Sequence, residues 1–338
     1  MSKFIRIEKE ECRELLDKVQ FKTFFHELEF HEFLEKKFKW LHFEYYLYGS
    51  ASSDASQGGK EAILVFGQIG KKMISLPFCE YGGPLLLKES FDWEQFERNV
   101  KEYFKKNIKI KFHPYILNIS HASDISTIFI ENLKNTSEQE IWNSLRKTLR
   151  HEIRHAQDRG LVIRECKTLK ENKKFYNLYV VNLRRKKTVP YTWSFIQFLC
   201  QNPSNELLAV FYGGRIIGGA LFLRYDNISH YFLSATDYKY HNFGIAHLIL
   251  WEKIRSLINK DVVLDLGASP KGSALEIFKS GWGGTKYPIY QINLSADGRE
   301  IKRTEESFRS SRLIRFIWSL LPNFLIKFLS KYFIKYRI

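Results

Sequence analysis

The chain has 338 residues, of which 44% are hydrophobic and 16% aromatic, a globular composition that excludes disorder over most of its length. Lysine and arginine outnumber aspartate and glutamate by 53 to 37, and the resulting net charge of +16 favours an anionic partner: a phosphate-rich ligand, RNA or acidic lipid. Cys12, Cys79, Cys166 and Cys200 lie far apart with no Cys-x-x-Cys and no paired histidine spacing, so neither a zinc site nor a disulfide framework is expected.

The opening MSKFIRIEKEECRELL is charged and lacks a secretory apolar core. No charge-free run reaches the roughly 18–20 apolar residues of a membrane span. A cytoplasmic protein with reduced thiols is expected. Residues 1–48 read as helical, with an aromatic amphipathic stretch from Phe24 to Phe30. Gly49–Gly59 is a loop by composition. Ala62–Phe66 and Lys72–Pro77 read as a hairpin turned at Gly67–Gly70. Glu89–Phe104 reads as an amphipathic helix, and Ile108–Asn118 and Ile125–Ile130 as strands. Ser137–Asp158 reads as a basic helix opened by the capping pair Ser137 and Glu140. A short strand at Leu161–Glu165 is followed by helices at Lys170–Arg185 and Trp193–Asn202. A second hairpin spans Leu207–Tyr212 and Ile216–Arg224. Strand Ser229–Ala235, helix Ile245–Leu257 and strand Val262–Leu266 come next. Helix, hairpin, strand and helix thus recur in similar order, which predicts two related α/β domains. Their expected bounds are 1–158 and 159–300, with a tail over 301–338.

The entry to the helix at Ile245 is the sharpest chemical signal. His241, Asn242, Phe243, Gly244, Ile245 and Ala246 join a strand to an apolar helix. Small residues there permit close backbone approach, and the first helical N–H groups point outward, which suits a phosphate or pyrophosphate. Asp265 ends an apolar strand. It is a candidate base for an incoming amine, or a cap for the turn at Gly267–Ser269. Asp237 carries the same two readings, with the cap favoured. Arg146 and Arg150 lie four apart on one helical face and either clamp an acceptor phosphate or form a solvated basic face. Arg184–Lys187 is a further basic cluster, a phosphate contact or only a loop. No Ser-His-Asp or Cys-His arrangement stands out, so direct transfer without a covalent enzyme intermediate is the simpler expectation.

Several blocks in shared order resemble the FemABX branch of the GNAT superfamily, including the BioF2-like acetyltransferases. They are Phe24-Phe25-His26, SLPFCEYGGPL at Ser75–Leu85, the helix Trp142–Ala156, Lys174–Pro190, Gly218-Gly219-Ala220, and GASPKGSALEIFKSGWGG at Gly267–Gly284. The resemblance implies two tandem GNAT-like domains with mixed, mostly antiparallel sheets. It implies transfer of an acyl or aminoacyl group to an amine, from acyl-CoA or aminoacyl-tRNA as co-substrate, with no permanently bound cofactor. The acceptor class it suggests is an envelope precursor, a peptidoglycan peptide or an amino sugar of a surface glycan. It makes His241–Ala246 the donor loop, with histidine in place of the usual first residue. It sets Lys279 near the point of transfer with Phe278 beside the substrate, and it assigns Tyr81, Gly82 and Gly83 to the acceptor side. The oxyanion donor is expected from a backbone amide late in strand Ser229–Ala235. No long coiled-coil arm of the kind some tRNA-dependent members carry is seen.

The tail Ser311–Ile338 is apolar with Arg312, Arg315, Lys327, Lys331 and Lys335 interspersed, and Pro322 divides it into two short helices. Either it lies on an anionic membrane surface, which would bring the protein to the inner face of the plasma membrane, or it docks on the body. The alternative to an enzyme is a non-catalytic GNAT-like module that binds RNA or anionic lipid. No motif for reading DNA is present.

Overall fold

The structure, a computed structural model, describes residues 2–19, 21–50, 59–116, 123–301 and 312–337. Most of the loop expected at Gly49–Gly59, the end of the strand expected at Ile108–Asn118, and Ser311 at the head of the tail fall outside the described residues.

The first unit comprises Met1–Ser126 and Tyr287–Thr304. Its opening is strand, helix, helix, strand rather than a helical run: β1 (Ser2–Ile7), α1 (Lys9–Leu16), α2 (Leu28–Lys37) and β2 (Leu41–Ser50). The reason is burial on both faces. In β2 Phe43, Tyr45 and Leu47 are buried, and so are Tyr46 and Tyr48, which removes the alternation that marks a half-exposed strand. β3 (Lys60–Ile69) and β4 (Lys72–Ser75) form the expected hairpin, β5 (Leu85–Leu86) pairs with β3, and α3 (Trp93–Tyr103) leads to β6 (Asn107–Lys111). The core is aromatic: Phe4 packs its ring 4.9 Å from both Tyr48 and Phe104 and 5.8 Å from Phe96.

The second unit comprises Thr127–Lys286 and Glu305–Ile338. It begins in β7 (Ile125–Ile130), followed by α4 (Glu138–Ser144), α5 (Lys147–Gln157), β8 (Val162–Glu165), α6 (Leu169–Arg185) and α7 (Trp193–Gln201). Then come β9 (Glu206–Tyr212), β10 (Arg215–Tyr225), β11 (Ile228–Thr236), α8 (Ile245–Leu257), β12 (Val263–Asp265), β13 (Ser269–Pro270), α9 (Ala274–Ser280) and β14 (Thr285–Pro288). β15 (Gln291–Leu294) belongs to the first unit, and α10 (Arg312–Leu320) and α11 (Asn323–Phe333) end the second. The basic helix expected over 137–158 is two helices. The capping pair Ser137 and Glu140 opens α4, but Leu145 is extended and turns into the core, and Arg146 heads α5.

The sheets repeat one plan. The first has the order β1-β2-β3-β4-β6-β15, and the second β13-β7-β12-β11-β10-β9-β8 with β14 also on β7. In each, an antiparallel run ends in a helical crossover to a parallel neighbour, β4 to β6 and β11 to β12. In each, an antiparallel strand follows that parallel neighbour: β15 against β6 and β7 against β12. These last strands come from outside the continuous stretch. That is why the units divide at residue 126 and again at 286 rather than at 158 and 300: β7 hydrogen-bonds to β12, and α5 packs on α8.

Candidate active site in the second unit

The parallel ladder between β11 and β12 is short. It pairs Ile228 with Val263, Ser229 with Leu264 and His230 with Asp265, and stops there. β11 continues to Thr236 along β10, while the chain after β12 forms β13 on β7. The two strands therefore part after the His230–Asp265 pair. Just beyond, the register of β11 against β10 slips: Leu221 faces Leu233 but Phe222 faces Tyr231. Phe232 is the extra residue, a bulge that takes its backbone out of the regular ladder. The bulge falls in the middle of the stretch Ser229–Ala235, ahead of the late part of the strand where the donor amide is expected.

Glycines let helices close on this part of the sheet. A side chain at Gly218 would meet Ile245 of α8 at 2.4 Å, and one at Gly219 would meet the Phe175 ring of α6 at 2.9 Å. Gly244 is the N-cap of α8 at φ +67, with no side-chain cap and no acidic residue in the first turn. The first intrahelical bond runs from the Leu248 amide to the Gly244 carbonyl at 3.0 Å, so the amides of Ile245, Ala246 and His247 are the ones the helix itself leaves open. The reason for Gly244 differs from the expected one. Besides its left-handed φ, an added Cβ would sit 2.9 Å from the Glu152 carbonyl oxygen of α5. The glycine admits a neighbouring helix, whatever else it admits. His241 is exposed, stacks on Tyr238 at 4.7 Å and donates from Nδ1 to the Tyr238 carbonyl at 2.8 Å. Asn242 is exposed, and Phe243 packs beneath the Arg159 guanidinium at 4.1 Å.

Asp265 is fully buried and accepts three hydrogen bonds: the Thr127 hydroxyl at 2.5 Å and the Gly267 amide at 2.8 Å on Oδ1, and the His230 ring on Oδ2 at 2.5 Å. Of the two readings the sequence left open for Asp265, the turn cap is present in its bond from the Gly267 amide. Its oxygens are occupied, and the histidine is the group attached to it. A carboxylate accepting from Nδ1–H fixes the tautomer in which Nε2 carries the lone pair. His230 went unread in the sequence, where it is one polar residue in an apolar strand. Only the register of a parallel pairing brings it to Asp265.

Lys279 is buried, and its ammonium donates to the Gly267 carbonyl at 2.7 Å and the Ala268 carbonyl at 3.0 Å. Asp265 and Lys279 therefore grip one peptide segment, the first through the Gly267 amide and the second through its carbonyl. The neighbouring Phe278 ring lies 5.1 Å from the ring of His247 in the first turn of α8, so α9 meets the start of α8. Burial holds the His247 pKa below its ordinary value. Asp237 caps the turn that follows β11 by accepting from the Lys239 amide, as favoured. Arg146 is exposed at the head of α5 and Arg150 half-buried one turn on. Arg184 and Arg185 are engaged with the body: Arg184 donates to Asn323 Oδ1 at 3.2 Å, and Arg185 lies 4.2 Å over Tyr238.

Tyr81, Gly82 and Gly83 belong to the first unit and are buried. Both glycine amides donate to the Lys111 carbonyl, and the Gly82 carbonyl lies 3.1 Å from His26 Nε2. The next residue, Pro84, lines a cleft of about 800 Å3 with Phe21, Trp93, His113 and Tyr115. Among the described residues no group of three or more His, Cys, Asp or Glu is placed to hold a metal ion, and no helix is long and apolar enough to cross a membrane. All four cysteines are free.

Residues 143–280 match a family model described as an acetyltransferase (GNAT) domain. No curated protein matches the chain by sequence. Among solved structures the fold is similar to that of FemX, at 12% identity over 86% of this chain and 96% of that one, with a TM-score of 0.59. It is similar to L-PGS from Bacillus licheniformis, at 12% identity over 95% and 98% with a TM-score of 0.54. It is also similar to the C-terminal domain of a putative lysylphosphatidylglycerol synthetase from Agrobacterium fabrum, at 12% identity over 70% and 82% with a TM-score of 0.50. At these identities the likeness is one of fold. The family model bears out a GNAT-type domain in the second unit, and the first unit repeats the plan of its sheet.

Proposed function

We propose that the chain transfers an acyl or aminoacyl group directly to an amine of a cell-envelope precursor, a reading supported by the match of residues 143–280 to a GNAT acetyltransferase domain and by the likeness of the fold to that of FemX. One observation carries the reading. β11 and β12 part at a hydrogen-bonded His230–Asp265 pair, beside a bulge at Phe232 and a helix start whose N-cap, Gly244, offers no side-chain cap. The open amides of Ile245, Ala246 and His247 suit the phosphates that acyl-CoA and aminoacyl-tRNA share. Arg159 over Phe243 adds a positive charge there. The acyl carbon lies in the gap between the strands, with its carbonyl oxygen toward backbone amide at the bulge.

The acceptor amine attacks that carbon. The C–N bond forms as the C–S bond of a thioester, or the C–O bond of a tRNA ester, breaks. The amine proton passes to His230 Nε2, whose imidazolium Asp265 stabilises, and the imidazolium gives that proton to the departing thiolate or alkoxide, which returns the histidine to its neutral form. Asp265 acts through His230 rather than as the base itself. Lys279 is a positioning residue that holds the Gly267–Ala268 carbonyls and so the end of β12. Phe278 lines the same region. Arg146 and Arg150, at the start of α5, are the candidates for acceptor contacts, whereas the Tyr81–Gly83 tract is buried within the first unit.

The deciding experiment supplies the purified protein with an envelope-precursor extract and either labelled acyl-CoA or a labelled aminoacyl-tRNA pool. Label in an amine-linked product supports the reading, and the donor that delivers it separates thioester from tRNA chemistry. No label from either donor, with no binding of either, overturns it and leaves a non-catalytic module.

A further inference from the structure

The tail docks by one face and leaves another bare. Trp318, Ile326, Ser330 and Ile334 are buried, and α10 and α11 pack on α6. Lys327 donates to Asn177 Oδ1 at 2.6 Å, and Arg337 donates to the Tyr179 hydroxyl at 2.9 Å and lies 4.0 Å over the Tyr191 ring. The opposite face carries Phe316, Leu320, Phe324, Phe328 and Tyr332, each four residues from the last and each between 54% and 68% exposed. Pro322 joins the two helices without breaking that row. A contiguous exposed stripe of this kind is unusual on a soluble surface and marks a site of contact.

Charge decides what the contact is with. From Arg312 to Ile338 the chain has six cationic residues and no acidic one. Lys331 Nζ lies 4.3 Å from the Phe328 ring and 4.7 Å from that of Tyr332, so a cation stands on the apolar row itself. Lys331 and Lys335 are exposed. An apolar row flanked only by cations matches a surface that is apolar within and anionic at its face, which is an anionic lipid leaflet. A second copy of this chain would bring two such rows together and oppose cation to cation.

We propose that the outer face of α10 and α11 seats the protein on anionic membrane, with Leu320, Phe324 and Phe328 entering the acyl boundary and Lys331 and Lys335 meeting the headgroups. The proposal is independent of the reaction, and its test reads no activity. Full-length protein is sedimented with vesicles of phosphatidylcholine alone or of phosphatidylcholine and phosphatidylglycerol in equal parts. Binding to the second and not the first is expected. The triple variant Leu320→Ser, Phe324→Ser, Phe328→Ser should weaken it by about a hundredfold. These side chains are exposed, so thermal unfolding of the variant should match that of the parent. Lys331→Glu with Lys335→Glu should weaken binding on the order of tenfold or more, and more so at low salt. Equal binding to neutral vesicles, undiminished binding by the triple variant, or a dimer that sediments without vesicles would each overturn the proposal.

Discussion

Helices α3 and α8 make the same crossover, each leaving an antiparallel run and returning to a parallel strand, yet their N-termini are opposites. At α3 the Asp92 side chain accepts from the Gln95 amide at 2.9 Å, and Glu94 adds a second carboxylate to the first turn. That end is satisfied and negative. At α8 the cap is Gly244, with neither a capping side chain nor an acid. That end is open and carries the positive end of the helix dipole. The approaches differ as well. In the first unit the loop after β4 is packed shut by Lys111, whose ammonium donates to the Leu76 and Cys79 carbonyls, and by His26 against the Gly82 carbonyl. In the second, Lys279 grips the loop after β12 through the Gly267 and Ala268 carbonyls. One plan thus occurs twice, once with a capped helix start and once with an uncapped one. The difference lies in a few polar side chains rather than in topology.

The largest expected effect tests the site directly. His230→Ala should lower turnover by about 10²- to 10⁴-fold, with donor affinity little changed, measured by steady-state and donor-binding assays on a variant whose fold is checked by thermal melting. Full turnover would remove the histidine from the chemistry. Asp92→Ala in the first unit should leave turnover untouched.

Acid should separate the units next. Burial lowers the pKa of His26 to about 4 and that of His31 to about 3, from 6.5 in the unfolded chain. Between those limits the unfolded state binds protons that the folded state refuses. Stability is therefore full above pH 6.5 and falls as pH drops toward 4 and below, by roughly 3 kcal/mol or more for each histidine. Lys111, lowered to about 8 by burial, adds nothing to this window because its own change is complete above it. Amide exchange, corrected for intrinsic rate, should quicken in α2 and β2 between pH 7 and pH 5 by more than in α8. Equal protection in both would mean that the buried histidines are not the weak points.

A smaller effect has two signs. Ala246→Glu places a carboxylate in the first turn of α8, where it should steady the helix by about 0.5 kcal/mol while weakening donor binding by about tenfold or more. A rise in melting temperature with unchanged donor affinity would detach the helix start from the donor. The smallest change is Asp92→Ala, which removes one cap hydrogen bond and should cost about 1 kcal/mol, read by chemical denaturation.

Much of the frame was legible. The bounds of α8 and β7 coincide with the sequence reading, and both hairpins lie where alternating apolar runs and glycine turns put them. The N-terminal strands were not legible, because β1 and β2 pair across the intervening residues 8–40 and β2 is covered on both sides. Nor was the break between α4 and α5, where Leu145 leaves the helical path to fill the core. Gly244 was noticed for a ligand's sake, and its most immediate neighbour proved to be α5.

The sequence by itself determined the fold class, most of the order of the elements after β2, the helix start at Ile245 and the amphipathic tail, because these rest on local spacing, turn chemistry and composition. Only the tertiary structure decided that His230 meets Asp265, that Asp265 and Lys279 hold the same peptide, that the extra residue of β11 is Phe232, and which face of the tail stays bare. Those facts depend on strand register and helix packing between residues far apart in the chain, and no local pattern encodes which distant partner a side chain will meet.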